Sequence, residues 1–390
     1  MTRLLSLIVL LFLATLPDAM MPPALKVIAV DRYGVTLGEA HWFMAVNLIG
    51  AILVLPLLAA VWRSVAAWKL IAVAALVDAI CLGVAAFPIG WVPTLVVRGI
   101  EGGADLVTIS TVLGLMGAGT FSSSGRRFGV AGLVMMMGLA VGAVGGGILS
   151  ERSAPAVLFS SALICLTLAA VAWLVRANLA DVRDRTLRVA RATMRSRWRL
   201  SLWPSMCFSF GDRAMAAVIS VTGSLYLTGI LDVSSTRAGS VIGLSLLLLA
   251  IFSWPAGVLA DRVGPLRVRI VSAAFYGLAV AAMAMLTATD GRGLLMLMVV
   301  LGVAGAGLIP TTYALGSRSG RGISDMGSIQ TAGTAGYFAG VMIAAVQFPD
   351  STEHGLQEFQ RIYLGFAAGY LVLNLLGVAG LLRWRLRPGR

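Results

Sequence analysis

Two long apolar tracts, residues 1–175 and 200–390, meet at one short basic stretch, Arg176 to Arg199 (RANLADVRDRTLRVARATMRSRWR), which carries eight arginines. A helix crossing the hydrocarbon core of a bilayer needs roughly 20 apolar residues, so each tract has room for about six crossings with tight turns. Charged residues make up 12% of the chain and hydrophobic ones 59%; a soluble domain would carry about a quarter charged residues. A transmembrane barrel would read as short alternating segments, which are absent here. The fold class is therefore an all-α membrane protein with 12 transmembrane helices in two six-helix halves. The first bundle is expected over residues 1–176, a cytoplasmic linker over 177–200 and the second bundle over 201–390.

Crossings are predicted at 4–30, 40–61, 67–87, 91–117, 128–149 and 155–176, then at 201–229, 238–260, 268–288, 293–315, 327–348 and 362–383. The start, MTRLLSLIVLLFLATLPDAM, looks like a secretory signal. An uncleaved first helix is expected instead, because apolar character resumes as far as Val30 and its loss would leave an odd number of crossings. In the linker, Asp181 with Arg185 and Asp184 with Arg188 have the spacing of helical ion pairs. Leu187, Ala190, Met194 and Trp198 recur at three- and four-residue steps, which predicts an amphipathic helix on the membrane surface.

Basic residues orient the chain, since Lys and Arg concentrate in cytoplasmic loops. With both termini inside, the cytoplasmic segments hold Arg3, Arg63, Lys69, Arg126, Arg127, the eight linker arginines, Arg262, Arg267, Arg269, Arg318, Arg321, Arg383, Arg385, Arg387 and Arg390. The outer loops hold only Arg32, Arg152, Arg237, Arg292 and Arg361. This bias accounts for the net charge of +13 without a nucleic-acid partner. The Arg-rich, Lys-poor composition points to a GC-rich genome, and a bacterial inner membrane is expected. Cys81, Cys165 and Cys207 are far apart in apolar runs and read as small buried hydrophobes, and His41 and His354 fall near loops. No metal or cofactor is expected, and no catalytic triad or nucleotide-binding loop is present in the sequence.

Ionisable groups inside a membrane are functional candidates by default, each costing about 2.5–3.5 kcal/mol on insertion scales. They are Asp18 and Lys26 in the first crossing, Asp78 in the third, Arg98, Glu101 and Asp105 in the fourth, and Asp212 and Arg213 in the seventh. Asp78 is expected to form a structural ion pair. Arg98, Glu101 and Asp105 share a helix face at steps of three and four. Asp18 and Asp212 sit on the first helix of each half, the internal symmetry expected of two-half transporters. Arg213, adjacent in sequence, is expected to hold Asp212 ionised, while Asp18 has no adjacent base. Tyr226, Ser253, Trp254, Thr311, Thr312, Gln330, Tyr337 and Asn374 are softer candidates for a pathway lining.

The segment Gly257-Val-Leu-Ala-Asp-Arg-Val-Gly-Pro-Leu-Arg267 resembles the signature loop of the major facilitator superfamily. Its first-half counterpart, Ala60 to Lys69, keeps Arg63 and Lys69 but lacks the Asp. Arg98-Gly-Ile-Glu-Gly resembles the family's Arg-x-x-Gln-Gly pattern, with Glu101 replacing the amide. Gly138, Gly142, Gly146 and Gly147 resemble the motif of its drug/proton antiporter branch, with Ala143 in place of Pro; the same spacing also serves close helix packing. The resemblance implies a gating loop built from Gly257, Asp261, Arg262, Gly264 and Arg267. It also implies a monomeric secondary transporter, not an enzyme, with a small-molecule solute and protons as partners. Proton-coupled export of a small amphipathic or cationic solute is the function expected. Alternatives are a facilitator or importer of an organic anion or lipid-like solute, and a transporter-like protein acting through partner binding.

Overall fold

The computed structural model describes residues 3–61, 65–117, 124–179, 202–285, 291–317, 323–347 and 355–385. Nearly all of the linker, Arg63, and the side chains of Arg126 and Arg127 lie outside the described set, as does the expected linker helix.

Twelve long helices are present among the described residues. Helix α1 covers Arg3–Leu25 and continues through a π-helical turn, Lys26–Val30, to Tyr33. The first half is completed by α2 (Trp42–Val61), α3 (Ala67–Ala85), α4 (Trp91–Gly117), α5 (Ser124–Ser150) and α6 (Ala154–Leu174). Helix α7 starts at Trp203–Ala217 and runs on through two π-helical turns, Val218–Thr222 and Tyr226–Ile230. Then come α8 (Ser235–Val263), α9 (Pro265–Met283), α10 (Gly291–Gly305 with Leu308–Ser317), α11 (Ile323–Gln347) and α12 (Gly355–Arg385). Eleven are long and apolar enough to cross a membrane. The remaining one, α4, has its apolar run interrupted by Arg98, Glu101 and Asp105.

Local chemistry sets the ends. Ser153 and Ser234 stand before α6 and α8 and accept from the backbone N–H of Ala156 and Arg237, filling donors that a helix start leaves open. Between α8 and α9 the chain turns on one residue, Gly264, at φ 99°, a conformation that favours glycine; Pro265 then opens α9.

Helices α3, α6, α9 and α12 are among those that show an apolar face to the outside. Val73, Leu76 and Ile80 of α3 are exposed, as are Phe159, Leu163 and Leu166 of α6, Val271, Phe275 and Leu278 of α9, and Val372, Leu375 and Leu376 of α12. Bands of this kind are unstable in water and suited to lipid.

The two halves repeat one packing device. Within the first, α5 lies so close to α1 that a Cβ on Gly142 or Gly146 would overlap the carbonyl oxygen of Leu16 or Met20. Within the second, a Cβ on Gly336 or Gly340 of α11 would overlap the carbonyl oxygen of Phe210 or Ala214 of α7. A single shift of 194 in residue number (142 to 336, 146 to 340, 16 to 210, 20 to 214) carries one contact set onto the other. The same shift carries Asp18 onto Asp212. The two acids therefore occupy equivalent places in three dimensions.

The core has two parts. One joins both halves around Met21, Ile28, Phe43, Val218, Leu225, Val341 and Tyr363, toward the end of the bundle away from the chain termini. The other lies toward the termini and is built mainly from the first half, around Leu10, Leu11, Ile71, Val112 and Leu168, with Ala250 of α8.

Candidate functional site

In the first half, Gly102 of α4 abuts the backbone of Asn47 in α2, and Gly50 abuts that of Gly99. This close crossing brings Asn47 to the charged face of α4, where its amide donates to the Glu101 carboxylate at 2.5 Å. Arg98, 1% exposed, forms ion pairs with Glu101 on its own helix and, at 3.6 Å, with Asp18 of α1. Its guanidinium lies 4.9 Å from the ring centroid of Phe43, a cation–π contact. Its Nε has no hydrogen-bond partner among the described residues. Asp105 is within hydrogen-bonding reach of Asp18. Asp78, reaching in from lipid-facing α3, is buried in electrostatic range of Glu101, Asp18 and Arg98, with one carboxylate oxygen unpartnered. The expected ion pair at Asp78 does not form among the described residues; its buried face meets an acid-rich cluster instead.

The second half solves the same problem differently. Arg269 of α9 grips Asp212 of α7 with two parallel bonds of 2.7 Å, a bidentate geometry. Every guanidinium nitrogen of Arg269 is used: Asn374 of α12 accepts two bonds (3.0 and 2.6 Å) and Thr312 of α10 accepts one (2.9 Å). The Tyr370 hydroxyl donates to Asp212 at 3.1 Å, and the Phe208 ring lies 4.5 Å from the guanidinium carbon. Arg213 was expected to be the partner of Asp212. Successive side chains on a helix diverge, and Arg213 instead lies against Gly333 of α11 and bonds Tyr313 of α10.

Arg269 itself is a correction. Its place near a turn read as a cytoplasmic loop, yet it is fully buried. Arg269, Ala273, Tyr276 and Val280 are all buried, at steps of four, three and four, so Arg269 belongs to the inward face of α9 and not to the loop. Asn47, Phe43 and Tyr370 carry no local signal and were missed.

Lys26 is not with the acids. It stands near the end of the bundle away from the termini, 3.7 Å from Asp232 of the other half, with Asp232 93% exposed. Nearby, His41 is buried between halves: its Nδ1 faces the Leu37 carbonyl (3.0 Å), so Nδ1–H donates there and Nε2 accepts from the Thr222 hydroxyl (3.2 Å). Asp261 and Arg262 occupy the last turn of α8 and are exposed, Arg267 is exposed on the first turn of α9, and Gly257 is buried. Gly138, Gly142 and Gly146 face α1, whereas Gly147 faces Ser235 of α8. Thr312 and Asn374 join the Asp212 cluster, Tyr337 bonds Ser220 of α7 (2.8 Å), and Tyr226 stacks on Phe359 at 3.5 Å. Ser253 and Thr311 bond carbonyls of their own helices.

Comparison with known proteins places this arrangement. A family model described as Major Facilitator Superfamily matches residues 7–345. No curated protein sequence matches. Among solved structures, the nucleoside transporter NupG is similar at a TM-score of 0.66 and 17% identity, over 97% of this chain and 99% of that one. A point mutant of NupG is similar at 0.67 and 17%, over 97% and 100%. At that identity the likeness shows the fold. The two charged clusters thus lie inside a multi-pass membrane protein of a transporter family, and the chain belongs to the major facilitator superfamily.

Proposed function

We propose that the protein is a proton-coupled secondary transporter working by alternating access, exporting a small amphipathic or cationic solute across a bacterial inner membrane with both termini cytoplasmic. One observation carries the proton: four carboxylates, Asp18, Asp78, Glu101 and Asp105, gather around a single arginine, Arg98. Fully ionised, the set would hold three uncompensated charges in the membrane interior, each costing about 2.5–3.5 kcal/mol. Protons remove that cost, and the set can release them when an outward or inward opening admits water. Asp18 is the member placed to do so. It is half-buried, with 29% of its side chain exposed, and it has both a cation and a second carboxylate within reach.

In the second half, Asp212 is saturated by Arg269, Thr312 and Tyr370, with Asn374 holding Arg269 in place, and serves as a fixed brace. Transport in reconstituted vesicles tests the division. Asp18→Asn should abolish uphill movement on an imposed pH gradient, while downhill solute exchange persists at saturating solute. Persistence of uphill movement would transfer the role to Glu101 or Asp105.

A second reading, uptake of a polar solute, is favoured by Arg213, which has no carboxylate within ion-pair distance among the described residues. The likeness to nucleoside transporter structures supports it as well. Right-side-out and inside-out vesicles loaded with the same solute separate the two directions.

A further inference from the structure

We infer that the central site takes an amphoteric solute, its basic group against Asp18 in the first half and its acidic group against Arg213 in the second. The inference rests on the transport reading above and names the class of solute for that same site.

The first half supplies the acidic wall. Asp18 has one loose contact to Arg98, at 3.6 Å. Arg98 is 1% exposed and is committed first to Glu101 on its own helix, which leaves Asp18 loosely held. In the second half each nitrogen of the equally buried Arg269 is satisfied. Asp18 retains acceptor capacity toward an ammonium group, and its wall carries more acids than bases.

The second half supplies the basic wall. Arg269 neutralises Asp212, which leaves Arg213 as an additional cation. Arg213 is half-buried, and an arginine inside a membrane is tolerated where it faces a cavity or a partner. Its stem is bedded on Gly333, where a Cβ would come within 3.0 Å of the Arg213 Cγ and 2.7 Å of the Ser209 hydroxyl. Its head bonds Tyr313. One turn along α11 from Gly333 is Tyr337, half-buried, its hydroxyl paired with Ser220. Tyr337 is in electrostatic range of Arg213 on its own half and of Asp18 and Arg98 on the other. It therefore stands within reach of both walls. A carboxylate on Arg213 and an ammonium on Asp18 would each form a charge-assisted hydrogen bond.

The test is a matched set of probes on the purified full-length protein, read by melting temperature and titrated for affinity. 4-(Aminomethyl)benzoic acid is the zwitterion, its methyl ester the cation and 4-methylbenzoic acid the anion. The zwitterion should stabilise the protein most. Arg213→Gln should weaken it about tenfold relative to the ester, the loss of one charge-assisted bond. Asp18→Asn should weaken zwitterion and ester alike. Arg213→Lys keeps the charge and should keep the preference, which covers the case in which Arg213→Gln does not fold. An ester that binds as tightly as the zwitterion, no stabilisation by any probe, or an unchanged preference in Arg213→Gln would each overturn the inference. Uphill, gradient-driven transport of the ester with no preference for the zwitterion would overturn this inference while leaving the proton-coupled reading standing.

Discussion

Asp212 has both oxygens filled by one guanidinium, whereas Asp18 touches its arginine at a single 3.6 Å contact. Removing one partner of a buried, hydrogen-bonded pair leaves the other charge stranded, typically at a cost of about 3–5 kcal/mol. Arg269→Gln should therefore lower the melting temperature sharply, and Asp18→Asn should lower it much less; equal losses would remove the distinction between brace and carrier. A second residue-scale prediction concerns Glu151, outside the membrane span. The backbone N–H of Thr236, in the other half, donates to its carboxylate at 3.1 Å, and hydrogen bonding by Thr236 holds its pKa below the usual value. A depressed acid contributes stability that is present above the unfolded pKa, about 4.3, and is lost as pH falls through the folded value. The stability difference between wild type and Glu151→Gln should thus be largest near neutral pH and vanish in acid. A difference that grows on acidification would contradict the assignment. Residue pairs also mark where sequence reading stops. Arg98, Glu101 and Asp105 are legible because a helix places steps of three and four on one face. Asp212 and Arg269 are 57 residues apart, and no local period joins them.

Helix positions were legible to within a few residues because an apolar run long enough to cross a bilayer has no other stable use. α4 was expected over 91–117 and is found there, while α9 begins at Pro265, earlier than its expected start at 268. The gain at α9 is three residues, which bring Arg267 into the helix, while Arg269 already lay inside the expected crossing. The break of α10 at Ala306 and Gly307 and the π-helical turns of α1 and α7 depend on tertiary packing and leave no such trace. Glycine spacing on α5 was visible, but its meaning needed the partner helix. A side chain at Gly146 must displace the α1 backbone, and overpacking of that kind costs about 1–3 kcal/mol. Gly145 has nothing within 4 Å of the place a Cβ would occupy. Gly146→Ala should lower the melting temperature and Gly145→Ala should not. Equal effects would mean that helix propensity, not the α1–α5 approach, governs this stretch.

At the scale of the molecule the halves share one apolar core toward the end away from the termini, fastened there by Lys26 with Asp232 and by His41 with Thr222. The Lys26 pair is exposed, and such pairs contribute about 0.2–1 kcal/mol. Lys26→Glu should therefore shift the balance between open and closed arrangements at that end by a few-fold, and adding Asp232→Lys should restore it. Thiol labelling of a cysteine placed in that opening reads the shift, and no change in Lys26→Glu would make the pair incidental. The larger claim is that the first half stores a proton among the four carboxylates around Arg98, while in the second half Arg269 keeps Asp212 as a neutralised, fixed pair. Infrared spectroscopy of the purified protein in lipid tests it without knowledge of the solute, because a protonated carboxyl has a carbonyl stretch that a carboxylate lacks. At neutral pH the wild type should show that band, it should fade on alkalinisation, and Asp18→Asn or Asp105→Asn should diminish it while Asp212→Asn leaves it unchanged. A wild-type spectrum without the band, or a band lost only in Asp212→Asn, would contradict the account.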